Sequence, residues 1–178
     1  MLKASDNAYD WLGGGIYFWE NNAERALDFA TFLSENLPHN KNQKIKTPAV
    51  LGAILDLGFC LDFLDSKYLG MLSASYNNLQ ESHNSFGIEI PINIPLVENG
   101  DLLMRYLDCA VIEQIHHYNK NSSHKSFDSV RGVFFEGKEL YPNAGFKEKN
   151  HVQIAIRNPN CIKGYFIPRE LDENHIIV

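Results

Sequence analysis
The sequence predicts an α+β domain in which short, mostly antiparallel strands are split around two or three helices. Three observations carry that expectation. Residues 11–20 hold three consecutive glycines among four aromatic side chains and run into a short apolar stretch. Residues 23–37 repeat apolar side chains at helical spacing. Residues 152–157, near the other end of the chain, alternate with the period of a strand. With 178 residues, 44% of them hydrophobic and 12% aromatic, residues 1–178 read as one domain with its own core.

Taken in order, residues 1–10 are short and polar and carry no strand. Consecutive glycines are costly to order, and they are kept where backbone turns tightly or where a ligand lies against it. Ile16 to Trp19 then reads as a strand, with Tyr17 and Trp19 on one face and Ile16 and Phe18 on the other. Asn21 is the expected N-cap of the first helix, with Glu24 three residues on. Ala26, Phe29, Ala30, Leu33 and Leu37 form that helix's buried face, Pro38 ends it, and residues 39–46 form a basic, solvated loop. Residues 48–58 read as a central strand buried on both faces. Asp65 or Ser66 caps a second helix with Leu69, Leu72, Tyr76 and Leu79 turned inward. Residues 81–99 form an irregular excursion broken by Pro91 and Pro95. A third helix is expected over 102–118, with Leu103, Leu107, Ala110 and Val111 buried. Residues 129–135 form a strand ending in a Glu136-Gly137 turn. Residues 142–150 form a loop. In the strand 152–157, Val152, Ile154 and Ile156 face the core and Gln153 faces away from it. Asn158-Pro159-Asn160 turns the chain into a last strand over 161–167.

Charge and composition exclude several classes. A net charge of −6 with dispersed acidic residues argues against a broad phosphate-backbone footprint. No run of about 18 apolar residues is present, so no transmembrane helix is expected. No secretory leader is visible. The three cysteines, Cys60, Cys109 and Cys161, lack metal or redox spacing and read as reduced thiols of a cytoplasmic protein. Asp56, Asp62 and Asp65 match no calcium loop. His116, His117 and His124 gather near a helix end, but adjacent histidines cannot share a helical face, so no metal site is expected.

The glycine-rich stretch resembles the nicotinamide-binding element of the ADP-ribosyltransferase superfamily. In its poly(ADP-ribose) polymerase branch a Gly-x-Gly-Ile-Tyr-Phe run precedes a helix with small residues facing inward. Gly13, Gly15, Ile16, Tyr17 and Phe18, then Ala23, Ala26 and Ala30, match that pattern. Residues 153–157, a turn, and residues 162–166 are similar to the superfamily's later strand pair, which places Gln153 where the catalytic glutamate stands. Trp11 to Phe18 and Arg131 to Gly137 look like elements of small bacterial and phage-associated, toxin-like members.

The resemblance implies a split antiparallel β core with flanking helices, and NAD as substrate. It implies transfer of ADP-ribose to a protein or nucleic acid, by a toxin or defence effector that could have an antitoxin partner. Gly13, Gly14 and Gly15 would give backbone room for NAD, Tyr17 would stack on nicotinamide, and Gln153 would bond the ribose. Glu136 would supply the negative charge that Gln153 lacks, and Arg131 would hold a phosphate. Residues 141–150 would correspond to a target-selecting loop. The superfamily's early His-Gly strand has no counterpart here, so the chain reads as N-terminally truncated, as having a misplaced start, or as a degenerate copy. Two alternatives stand beside the transferase: a catalytically inactive module that binds NAD weakly or only interacts, and a hydrolase or nuclease built on Asp108, His116 and His117.

Overall fold
The computed structural model describes residues 2–36, 45–96, 98 and 100–169. Pro38 and most of the basic loop at 39–46 lie outside them. The architecture is α+β. A four-stranded sheet has the order β1-β7-β6-β3, built from β1 (Ile16–Trp19), β7 (His151–Ile156), β6 (Ser129–Phe134) and β3 (Cys60–Asp62). Separate two-stranded sheets join β2 (Gly52–Leu55) to β8 (Ile162–Phe166) and β4 (Asn93–Ile94) to β5 (Met104–Arg105). The helices are α1 (Ala23–Asn36), α2 (Ser66–Phe86) and α3 (Tyr106–Asn121).

The strand at the glycine-rich end and the strand near the C-terminal end are direct neighbours. β1 pairs antiparallel with β7, so that Tyr17 lies opposite Ala155 and Trp19 opposite Gln153. Opposed residues share a sheet face, which puts Tyr17, Trp19, Gln153 and Ala155 on one side. That side carries the main core of Leu12, Leu61, Ile112, Ile115, Phe127 and Val130, with Tyr17 packed against it. The other side carries a second cluster in which Ile154, Ile156 and Cys161 meet Ile16, Phe18, Leu55 and Leu57.

Two cores explain one correction. The strand at 151–156 was expected to bury only its Val152, Ile154 and Ile156 face. Its opposite face is also covered, with Ala155 fully buried and His151 5% exposed. Gln153 therefore sits on a core face rather than a solvent face. The strand expected at 48–58 is not central. β2 pairs only with β8, and Ile54 is 60% exposed. The last strand does not fold back on β7, because Asn158 caps a 3₁₀ turn over Pro159–Cys161 that sends β8 to β2 instead.

Helix ends also move. Asn22, not Asn21, caps α1: its side chain accepts from the Arg25 amide at 2.9 Å, while Asn21 has a left-handed φ of 49°. Asp65 caps α2 as the sequence implies, and the helix runs on to Phe86, where Gly87 closes it with φ 62°. The irregular excursion therefore begins later than residue 81. α3 starts at Tyr106 after the short β5 and buries Cys109, Val111, Ile112 and Ile115. Of the face expected for it, Val111 alone is fully buried. β3 was not anticipated. It is three residues long and pairs parallel with β6, with Leu61 wholly buried.

Candidate active site
The glycine triplet is held from three sides. Gly13 has a left-handed φ of +73°, and a Cβ there would overlap the Glu113 carboxylate. Gly14 donates its amide to Glu113 Oε1 at 2.8 Å and accepts from Arg157 at 3.0 Å. Gly15 exchanges both backbone hydrogen bonds with Ser5, at 2.8 and 3.0 Å, so the segment before the glycines is tied at Ser5 into the sheet edge after all. Arg157 closes the arrangement through a bidentate pair with Glu113 at 2.6 and 3.1 Å. Burial alone would raise the Glu113 pKa, but Arg157 and the Gly14 amide outweigh it and hold the carboxyl below its ordinary range.

Tyr17 is anchored to the same loop. Its hydroxyl donates to the Gly13 carbonyl at 2.7 Å and accepts the Leu12 amide at 2.8 Å. Burial pushes its phenol far above the ordinary tyrosine pKa. Arg131 is fully engaged with carboxylates. It donates to Glu20 at 2.6 and 3.1 Å and to Asp62 at 3.0 and 3.3 Å. Any phosphate held by Arg131 would have to displace one of those partners.

Gln153 and Glu136 belong to a second polar cluster. Arg25 of α1 pairs with Glu136 at 2.7 Å, with side-chain exposures of only 9% and 14%. Between Glu136 and Gln153 lies His151. Its Nδ1 is 2.6 Å from the Lys149 carbonyl, and its Nε2 is 3.1 Å from Gln153 Nε2. Burial lowers the pKa of His151, with the Lys149 carbonyl opposing and Arg25 adding to the depression. Two buried donors in this region, Trp19 Nε1 and Arg25 Nε, have no hydrogen-bond partner among the described residues.

Along the β1 edge runs a cleft of about 660 Å³ between α1 and the β2–β8 pair. Phe18, Ala26, Ala30, Leu33, Gly52 and Ile154 form much of its apolar wall. Tyr17, Trp19, Glu20, Asn21 and Asn22 complete one end. Its size lies within the range of small-molecule and cofactor sites. Gln153 and Glu136 are not part of its lining, but Trp19 belongs to both places: it lines the cleft and lies opposite Gln153.

No family model, curated protein or solved structure matches this chain.

The structure thus joins Tyr17 of β1 to the loop of Gly13, Gly14 and Gly15 and brings Gln153, His151 and Glu136 into one cluster, with Arg131 in a third group. The sequence did not single out Glu113, Arg157, His151, Arg25 or Glu20. A carboxylate one helical turn after the buried Cys109 is the signal that marks Glu113, and Arg157 follows the alternating strand; that the two pair is set only by tertiary folding. His116 lies partly buried beside Phe127 and His117 is exposed. Among the described residues no group of three or more His, Cys, Asp and Glu side chains is placed to hold a metal ion. No helix among them is long and apolar enough to cross a membrane.

Proposed function
We propose that this chain is an ADP-ribosyltransferase-type domain that takes NAD into the cleft along the β1 edge. One observation carries the proposal. The two sequence elements that resemble the superfamily, far apart in the chain, are paired strands, with Tyr17 and Gln153 on one face and Trp19 directly across from Gln153. In the reaction, the bond between the ribose carbon and the nicotinamide nitrogen breaks. Its electron pair stays on the nitrogen, giving neutral nicotinamide. The positive charge left on the ribose is captured by a nucleophile of a protein or nucleic acid, which gives up a proton. Groups that stabilise this cation more than the ground state accelerate the step.

Within that reading, Gln153 offers a hydrogen bond but no charge. Glu20 is the carboxylate that lines the cleft, and Arg131 fixes its orientation through two nitrogens. Glu136, expected from the sequence to supply the charge, is committed to Arg25. Glu20 is ion-paired as well, but it lines the cleft and Glu136 does not, so Glu20 takes the role assigned to Glu136. Incubation of the full chain with NAD tests the reading, with nicotinamide release as the signal. Release that falls at least tenfold in Glu20→Gln and less in Glu136→Gln supports it. No release from a folded chain with any acceptor mixture defeats it.

A second reading is favoured by a specific feature. The amides and carbonyls of the glycine triplet, the Tyr17 hydroxyl and the Arg131 guanidinium are all paired within the protein. A site so saturated fits a catalytically inactive module that binds NAD weakly or serves only for interaction. Binding of NAD without release identifies that case.

A further inference from the structure
His151 opens β7 and is buried against the rings of Trp11 and Phe134, whose centroids lie 6.1 and 5.8 Å from its own. The carbonyl of Lys149 can only accept a hydrogen bond, so the 2.6 Å contact requires a proton on Nδ1. The charged groups around the ring come from each neighbouring element: Arg25 from α1, Arg105 from β5 and Glu136 after β6. Burial outweighs the Lys149 carbonyl and Glu136 and keeps the ring neutral at neutral pH. A neutral ring protonated on Nδ1 has a bare lone pair on Nε2. The atom facing that lone pair at 3.1 Å is the amide nitrogen of Gln153, and it donates.

We infer that His151 is a positioning residue: its bare Nε2 turns the Gln153 amide nitrogen inward and the Gln153 carbonyl oxygen outward, and a second proton on His151 reverses that orientation. The geometry also gives a reason for glutamine at this position. A glutamate would set carboxylate oxygens against the Nε2 lone pair, acceptor against acceptor, unless His151 took up a proton. Glutamine alone satisfies the neutral ring. The consequence for catalysis rests on the transferase reading, with NAD extending past Trp19 from the cleft to its ladder partner Gln153: the outward oxygen is then the acceptor for a ribose hydroxyl, and acid replaces it with a donor that cannot serve.

Nitrogen-15 NMR of the full chain tests the inference without NAD. At neutral pH, His151 should be protonated on Nδ1 alone, and a coupling across the hydrogen bond should link its Nε2 to the Gln153 amide nitrogen. Acidification should abolish that coupling in the same step that protonates His151, with a midpoint below the ordinary histidine value. Gln153→Glu should move that midpoint up by about one pH unit or more, a roughly tenfold change in protonation at a given pH. A folded chain in which Nε2 carries the proton at neutral pH, or in which the coupling is absent, overturns the inference. If Gln153→Glu fails to fold, the wild-type tautomer and coupling decide alone. NAD added to the same sample separates the two proposals. Coupling present with no NAD response leaves the His151–Gln153 orientation standing and removes the transferase reading.

Discussion

Replacing Gly13 by alanine should destabilise the chain far more than the same substitution at Gly70. The backbone there has φ +73°, which costs an L-residue about 1–2 kcal/mol. The added methyl would also overlap the Glu113 carboxylate and approach Ile112 Cγ2 to 3.2 Å. Glu113 would have to move, and in moving it would release the Gly14 amide and slacken its pair with Arg157. An unpaired amide adds about 1–3 kcal/mol. The sum is about 3 kcal/mol, which for a domain of this length lowers Tm by roughly 6–12 °C. Gly70 is the control. It lies within α2 with nothing within 4 Å of its prospective Cβ, so alanine there should leave stability unchanged or raise it by up to about 1 kcal/mol. Urea unfolding of both variants measures the contrast. A Gly13→Ala chain within about 1 kcal/mol of wild type, the loss expected from backbone strain alone, would refute the claim that Glu113 and Arg157 brace the glycine loop.

Three further outcomes follow from the same geometry. Tyr17→Phe leaves the Leu12 amide and the Gly13 carbonyl without their partner and should cost about 2–4 kcal/mol; in wild type, alkaline titration should leave this phenol protonated until the chain unfolds. Arg25→Met or Glu136→Leu breaks a pair whose partners are 9% and 14% exposed and should cost about 3–5 kcal/mol, whereas the double variant Arg25→Met/Glu136→Leu should recover much of the loss in a double-mutant cycle. His116 is held down to about 4, by burial first and Arg157 second, with Glu113 opposing. Its neutral form is the one the fold prefers, so its contribution is complete above the ordinary histidine value of about 6.5 and is lost as pH falls toward 4. Stability should drop by about 3 kcal/mol over that window, and His116→Phe should flatten the slope measured by urea unfolding between those pH values.

Much of the fold could be read from local pattern. The glycine–aromatic strand, the helical spacing of α1 and the β7 alternation are short-range signals, and each became an element within a residue or two of its expected bounds, although among its described residues α1 fully buries Arg25 rather than its apolar face. What failed was non-local. β3 is three residues long and owes its place to parallel pairing with β6, which leaves no periodic trace. The apolar run at 48–58 looked central, yet its composition reflects one cleft wall and one partner strand. Gln153 was read as solvent-facing because alternation marks two faces without saying that both are covered. Glu136 and Arg131 were marked from the sequence as site charges, but the groups that neutralise them, Arg25 of α1, Glu20 just after β1 and Asp62 of β3, are set by tertiary folding.

The most direct test of the central claim is a titration of the isotope-labelled full chain with NAD, followed residue by residue. The account predicts saturable shifts at Tyr17, Trp19 and Glu20 along the cleft and at Gln153 across the ladder from Trp19. Shifts confined to a second, separate groove, lined by Trp11, Leu72, Tyr76 and Arg105, or no shift at any concentration, would contradict it.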